Sequence, residues 1–284
     1  MIAKTNVYFL AEVTKTYGNG DCILLENIDN NGNILHALID TGKKVYNGVV
    51  CKFLKKHNVK KLEFLLITHS HGDHNGDTLS VIDNYKIDKL IMKEFDLKWS
   101  PDGTQKPYEL IVGKAIEKKI PKILGISYLS LISEEYSPSR SNYFKNKLNK
   151  GAKIENYKYF NKDNVKFQFG SSFIQIFNWE IFDSEGNLFV TRQNNNTIKK
   201  IYRDIYLNEN KNSLAVLLIQ GDKKAFFTGD MNNLKKNVGG IQIGDEDRLK
   251  YEIGKIDLLK LGHHGYQYSN TLFKYSQARV CHNY

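Results

Sequence analysis

The chain has 284 residues, of which 41% are hydrophobic and 25% charged, a composition typical of globular proteins and a length that suits one large domain or two modest ones. No apolar run approaches the ~20 residues of a membrane span, and the first residues lack the apolar core of a signal peptide. Three widely spaced cysteines give no disulfide framework. We therefore expect a cytoplasmic protein without a membrane span. Its oligomeric state cannot be inferred from sequence.

The formal net charge of +10 favours a polyanionic partner such as nucleic acid. The lysines are spread along the chain and form no dense basic block. Charge alone therefore also agrees with a general compositional bias.

The first forty residues predict a β-meander of three strands. Apolar or alternating runs at 5–13, 22–26 and 35–39 are separated by the turn signals 17–21 and 27–32. The third strand ends in Asp40-Thr41-Gly42. Apolar residues at helical spacing then predict a helix over 46–57, whose basic end suits the negative pole of the helix dipole.

A dense cluster of metal-ligand residue types follows the next strand. The apolar run 64–67 predicts a buried strand, and the segment behind it contains His69, His71, Asp73 and His74. A helix start is predicted within 75–84 and another strand at 87–92. In open α/β sheets, ligands bind at the carboxyl ends of such strands.

The middle of the chain has weaker patterns. A helix is predicted over 108–119, the end of another at 143–148, and strands near 157–159, 165–169 and 173–177. Residues 183–212 are mostly polar and predict a long loop.

Two further strands end in ligand-type residues. The strand at 213–219 leads through a turn to 225–227, which is followed by Asp230. A helical stretch near 245–253 precedes the strand 256–261, which ends in His263 and His264. The few residues after Asn270 predict a frayed terminus, so His282 is not expected to bind metal.

The spacing of the ligand types suggests two metal ions side by side. His69 and His71 can point to one side of an extended segment, whereas Asp73 and His74, beyond the turn at Gly72, can face a second point nearby. Imidazole and carboxylate groups suit Zn²⁺ and other first-row dications. Nothing in the sequence indicates a serine or cysteine nucleophile, a phosphate-binding loop or a dinucleotide-binding turn.

The segment 69–74 resembles the His-x-His-x-Asp-His signature of the metallo-β-lactamase superfamily, over roughly residues 5–270. Several stretches resemble its competence-protein (ComEC-like) branch: Gly18–Asp21, Asp40–Gly42, Asn212–Leu214 with Thr228–Asp230, and Leu259–Gly265. The resemblance implies one domain over 1–284, folded as an αββα sandwich of two mixed sheets with helices outside. It also implies that an insert around 95–150 covers the metal cleft as a lid.

The residues and the resemblance together give a proposed ligand set. His69 and His71 would bind one metal, Asp73, His74 and either His263 or His264 the other, and Asp230 would bridge them. In the superfamily a carboxylate at the position of Asp40 hydrogen-bonds a ligand imidazole and orients it. Asp73, Asp230 and His264 are the candidate catalytic residues. The histidine of the pair that does not ligate would hydrogen-bond a substrate oxyanion or act as a general acid.

The chain departs from the best-known superfamily pattern, since no histidine occurs between residues 75 and 262. The first metal therefore has fewer protein ligands, which makes Mn²⁺ or a single ion credible beside one or two Zn²⁺. We expect a metal-dependent hydrolase that uses metal-bound hydroxide, with a phosphodiester or nucleic acid as substrate. Two alternatives stay open: a hydrolase of a small ester, lactone or phosphorylated metabolite, and a non-catalytic binding protein on a degenerate fold.

Overall fold

The protein is described here from a computed structural model. The residues that this structure describes are 2–10, 20–44, 48–69, 71–93, 107–125, 157–159, 165–178, 182–183, 213–231, 241–242, 249, 252–265 and 279–281. The predicted helix end at 143–148, most of the lid segment 95–150, most of the polar loop 183–212, and His282 lie outside these residues.

The first half of the chain builds a mixed seven-stranded sheet. In spatial order its strands are β1 (Lys4–Phe9), β2 (Ile23–Ile28), β3 (Ile34–Ile39), β5 (Leu65–Ile67), β7 (Leu90–Lys93), β8 (Lys122–Gly125) and β9 (Tyr157–Tyr159). The first three pair antiparallel, which confirms the meander, and the pairs from β3 to β9 are parallel. Short strands β4 (Lys61–Leu62) and β6 (Lys86–Ile87) form a separate parallel pair.

The second half repeats this plan in a six-stranded sheet. Its strands are β10 (Lys166–Phe169), β11 (Ser172–Phe177), β13 (Ala215–Gln220), β14 (Lys223–Phe227), β16 (Leu258–Lys260) and β17 (Arg279–Cys281). The pairs from β10 to β14 are antiparallel, and β16 is parallel to both its neighbours. Strands β12 (Phe182–Asp183) and β15 (Ile241–Gln242) pair separately.

Strand β17 corrects the expectation of a frayed terminus. Residues Arg279–Cys281 pair in register with β16 and form an edge of the second sheet. The segment has only three residues and is flanked in the sequence by polar residues, so its pattern does not indicate a strand. It forms a strand because the edge of β16 offers backbone N–H and C=O groups with which it can pair.

Helices cover the outer face of the first sheet. They are α1 (Val49–Lys56), α2 (Gly72–Asn75), α3 (Thr78–Asn84) and α4 (Pro107–Glu117). The backbone N–H groups of Gly48 and Val50 donate to the Asp77 carboxylate, which satisfies donors at the start of α1. Helix α2 begins inside the histidine cluster, earlier than expected, whereas α3 and α4 agree with the predicted helices. Helix α4 and β8 are a further α/β unit of the sheet inside the segment predicted as a lid.

Three hydrophobic layers hold this arrangement together. Strand residues alternate between two of them, since Leu65 and Ile67 pack under the helices while Leu66 packs between the sheets. The third layer lies on the outer face of the second sheet, where the helical residues Leu249 and Ile253 are buried. The layers are thus helix, sheet, sheet, helix, which is the expected αββα sandwich of two mixed sheets with helices outside. Within the described ranges no helix is both long and apolar enough to cross a membrane.

Candidate metal centre

The polar residues of the centre follow four strands that end at the same edge of the sandwich. Asp40 follows β3, and the segment from Thr68 to His74 follows β5, which is parallel to β3. In the second sheet, Asp230 follows β14 and a single 3₁₀ turn, Gly262–Gly265, follows β16. Parallel neighbours end side by side, so both sheets deliver ligand-type side chains to one place.

A network around Asp40 fixes two of the imidazole rings. Asp40 Oδ1 accepts a hydrogen bond from the Thr68 backbone N–H at 2.7 Å, and Oδ2 accepts one from the Thr68 hydroxyl at 2.7 Å. His74 Nδ1 lies 2.8 Å from the same Oδ2, and His69 Nδ1 lies 3.1 Å from the Thr68 hydroxyl oxygen. Because the hydroxyl proton is given to Asp40, that oxygen accepts from His69. In their neutral forms both rings then carry their proton on Nδ1 and have a lone pair on Nε2.

Three buried polar atoms face one another without a hydrogen bond. Within the described residues, His69 Nε2, His74 Nε2 and Asp230 Oδ1 make no hydrogen bond of acceptable geometry, although the last two lie 3.1 Å apart. Burying such groups without a partner costs about 1–3 kcal/mol each. A divalent cation between the lone pairs would satisfy all three atoms at once. The residues therefore fit a metal ion.

Four groups of three described side chains have ligand atoms that lie within 4.8 Å of one another; two of them contain Asp21, and the other two comprise the proposed ligands. Of these other two, the first comprises His69, His71 and Asp230, and the second comprises Asp73, His74 and His264. Asp230 is near both groups, since its Oδ2 lies 3.7 Å from His264 Nε2. The predicted site residues are thus brought together, except that the side chain of His263 lies outside the described part of the chain. Their assignment as ligands stays a prediction.

Closely spaced carboxylates and imidazoles shift one another's pKa values in the centre. Burial would lower the pKa of His264, but Asp21, Asp73 and Asp230 raise it to about 9. Burial would likewise lower the pKa of His74, yet Asp230 and Asp40 raise it well above its usual value. Burial opposes ionisation of Asp230, but His74 and His69 hold its pKa far below the usual range. The carboxylates favour positive charge here, whether it comes from protons or from metal ions.

Two buried residues of the centre were not identified as site residues from sequence. Asp21 and Lys260 form an ion pair between Oδ2 and Nζ, and both are 2% exposed or less. Lys260 Nζ also donates to the carbonyl of Gly229 at 2.9 Å. One signal for Lys260 existed, because it interrupts the apolar run 256–261 at a strand end. A lysine is almost never fully buried without a charged partner.

Two glycines allow the loops of the centre to approach closely. Gly20 has φ +67°, and a Cβ there would lie 1.8 Å from the carbonyl oxygen of Asp73. The adjacent N–H of Asp21 donates to that carbonyl at 3.0 Å. Gly229 has φ +56°, and a Cβ there would lie 2.9 Å from Thr68 Cβ. Glycine at these positions lets the first meander and the loop before Asp230 pack directly on the histidine segment.

The first half of the chain is similar in sequence to a known family. The sequence model of the Metallo-beta-lactamase superfamily matches residues 16–149, a range that includes Asp40 and the segment from His69 to His74. A crystal structure of a metallo-beta-lactamase from Hirschia baltica matches at 10% identity, covering 81% of this chain and 68% of that chain with a TM-score of 0.29. No curated protein matches the chain.

Proposed function

We propose that this chain, which carries a metallo-β-lactamase superfamily domain sequence over residues 16–149, is a metal-dependent hydrolase of phosphodiesters. The superfamily suggests metal-dependent hydrolysis in general, whereas the phosphodiester is our more specific proposal. The observation that carries the metal dependence in this proposal is the set of three buried atoms without a hydrogen bond, His69 Nε2, His74 Nε2 and Asp230 Oδ1.

The proposed ligand residues form two sets, one for each metal ion. His69, His71 and Asp230 would hold one ion, and Asp73, His74 and His264 the other, with Zn²⁺ or Mn²⁺ as the candidate metals. The two oxygens of Asp230 face different histidines, because Oδ1 lies 3.1 Å from His74 Nε2 and Oδ2 lies 3.9 Å from His69 Nε2. A carboxylate placed in this way is suited to bridge two ions. When bound, such ions supply hydroxide at neutral pH and stabilise negative charge in the transition state.

The charge of the centre supports an anionic substrate. Asp21, Asp40, Asp73 and Asp230 bring four negative charges, which two dications would neutralise. The buried ammonium of Lys260 would then leave one positive charge. With a single dication the same centre would be negative by one charge. The hydroxide that hydrolysis needs would lower either total by one more charge, which brings the two-ion centre to neutrality. Two ions therefore suit a phosphodiester better than one ion does, because the substrate has to approach with its own negative charge.

Features outside the centre support a nucleic-acid backbone as the phosphodiester. The net charge of +10 favours polyanions, and the motifs similar to the competence-protein branch point to the same substrate class. Exposed Lys44 lies on the loop that follows Asp40, and that loop packs beside α2, because Gly76 N–H donates to the carbonyl of Gly42 at 2.9 Å. We propose that Lys44 contacts phosphates near the centre.

The test compares substrates with metal-loaded protein. Bis-p-nitrophenyl phosphate, p-nitrophenyl phosphate, a p-nitrophenyl carboxylic ester and a lactone would be supplied with Zn²⁺ or Mn²⁺, and Asp230→Ala would serve as the variant that lacks the bridging carboxylate. We expect turnover of the diester that requires metal and is lost in Asp230→Ala. Turnover of the carboxylic ester or the lactone alone would establish the small-molecule alternative. No turnover with any substrate would contradict the proposal.

A labelled single-stranded oligonucleotide tests the polymer substrate. If phosphates are contacted, the affinity should fall with salt with a slope of about −0.7 per contact on logarithmic axes. Lys44→Glu should weaken binding more than the control Lys4→Glu, since Lys4 is also exposed but lies on edge strand β1. Equal effects of the two substitutions would remove Lys44 from the proposed contact surface.

A further inference from the structure

The buried ion pair of Asp21 and Lys260 lies next to His264, one of the proposed metal ligands. Asp21 Oδ2 contacts Lys260 Nζ, and these side chains are 1% and 2% exposed. Taking two charges out of water generally costs as much as their attraction returns, so such a pair is not explained by stability. Asp21 and Lys260 come from opposite ends of the chain and from different sheets. A role in the nearby centre would explain why the pair is there.

The other oxygen of Asp21 faces an imidazole of the centre. Asp21 Oδ1 lies 3.5 Å from His264 Nδ1, on one edge of the ring. On the opposite edge, His264 Nε2 lies 3.2 Å from Asp73 Oδ2 and 3.7 Å from Asp230 Oδ2. His264 thus has one nitrogen toward Asp21 and the other toward the proposed ligands.

The same arrangement occurs at the other imidazole of this group. His74 has Nδ1 at 2.8 Å from Asp40 Oδ2 and Nε2 at 3.1 Å from Asp230 Oδ1. Asp40 is itself held by two hydrogen bonds from Thr68. Metal-binding histidines commonly donate their second N–H to a carboxylate, which fixes the tautomer and the orientation of the ring. Lys260 holds Asp21 beside His264 in the same way that Thr68 holds Asp40 beside His74.

We propose that Asp21 and Lys260 are positioning residues, which hold His264 with Nε2 directed at the second metal ion. This inference rests on the proposed metal centre. His264 also needs support from its surroundings because its backbone has φ +50°, an uncommon conformation for a residue with a side chain. Asp21 lies close enough to Asp230 and His264 to be a ligand itself. Its contact with the ammonium favours the positioning role, because that contact occupies one carboxylate oxygen while the other faces the ring.

Metal titration tests this without reference to activity. Co²⁺ would be titrated into metal-free protein and followed by visible absorption, with Zn²⁺ calorimetry alongside. In Asp21→Ala we expect one of two binding steps to weaken by about 10–100-fold, as for other residues that orient a ligand. The step assigned to His69, His71 and Asp230 should change by less. Lys260→Met should weaken the same step, since Asp21 loses the group that holds it.

A double variant separates positioning from charge. Asp21→Asn with Lys260→Met removes both charges and keeps an oxygen that can accept from His264 Nδ1. We expect it to bind the second ion more tightly than either Asp21→Ala or Lys260→Met. The matched control is Lys224→Met, because Lys224 Nζ likewise donates to a backbone carbonyl, that of Ile253, at 2.8 Å. Circular dichroism of each metal-free variant would show that it folds, and the double variant carries the test if a single variant does not.

Two results would overturn the inference. Loss of one whole metal equivalent in both Asp21→Ala and the double variant would make Asp21 a ligand. Unchanged affinity and an unchanged Co²⁺ spectrum in all the Asp21 and Lys260 variants would reduce the pair to a structural role. Neither result depends on hydrolysis, so failure of the proposed function and failure of this inference are distinguishable.

Discussion

His74 Nε2 and Asp230 Oδ1 lie 3.1 Å apart, one supplied by each sheet, and both atoms are fully buried. A cation bound between them would join the two halves of the sandwich. Binding to the folded state alone stabilises a protein by ~2.7 kcal/mol when the free ligand is at 100 times its Kd.

The first prediction is therefore a thermal shift. Adding Zn²⁺ or Mn²⁺ to chelator-treated protein should raise Tm by about 5–10 °C, because ~1 kcal/mol corresponds to ~2–4 °C for chains of 150–250 residues. Differential scanning fluorimetry with and without chelator measures the change. Asp230→Ala is the control and should lose most of the shift. An equal shift in that variant would place the ion elsewhere.

The second prediction concerns the Thr68 hydroxyl, which links His69 to Asp40. Thr68→Val keeps the shape of the side chain and removes that link, so metal affinity should fall by about 10–100-fold. The matched control is Thr78→Val, whose hydroxyl is also buried and pairs with Thr41 at 2.9 Å without contacting an imidazole. Both variants should lose about 0.5–1.5 kcal/mol of stability for the missing hydrogen bond. Calorimetric titration that gave equal affinities for the two variants would contradict the role of Thr68.

The third prediction compares two glycines with positive φ. Gly221 has φ +59° and open space where a Cβ would be, so Gly221→Ala should cost only about 1–2 kcal/mol for the left-handed backbone. Gly20→Ala meets the carbonyl of Asp73 as well, and should cost a further ~1–3 kcal/mol from overpacking. Urea unfolding measures both. In addition, only Gly20→Ala should weaken metal binding, since it displaces the loop that carries Asp21.

The fourth prediction tests strand β17. Those backbone amides of Arg279–Cys281 that point toward β16 should exchange slowly with deuterium, because this edge strand pairs with β16 in the second sheet. Exchange as fast as in an unstructured peptide would restore the frayed terminus expected from sequence. Mass spectrometry of peptic peptides gives the comparison, with β14 as the protected reference because it is the other neighbour of β16.

Much of the fold could be predicted because its strands are buried on both faces or alternate clearly. The runs around Leu66 and Val216 are nearly all apolar, and in the structure their alternate residues enter two different cores. The ligand types at strand ends could be found for the same reason, since each follows such a run. These features are local in sequence, so periodicity and residue type reveal them.

The contacts that depend on distant segments could not be predicted. The Asp21–Lys260 pair joins residues that are far apart in the chain, and only the alignment of the two sheets brings them together. The resemblance suggested an orienting carboxylate at Asp40 but gave no role to Asp21. Likewise, nothing local indicates that Thr68 connects His69 to Asp40. Strand β17 was missed because its pairing partner, not its own pattern, determines its structure.

One backbone hydrogen bond joins the two sheets directly beside the centre. Leu214 N–H donates to the carbonyl of Thr68 at 2.8 Å, directly between the histidine segment of the first sheet and the start of β13 in the second. A slide of one sheet over the other would strain this bond and change the distance between Asp230 and His74. The geometry of the centre therefore depends on how the two sheets are aligned. Substitutions in the layer between the sheets should reduce metal affinity well before they unfold the chain.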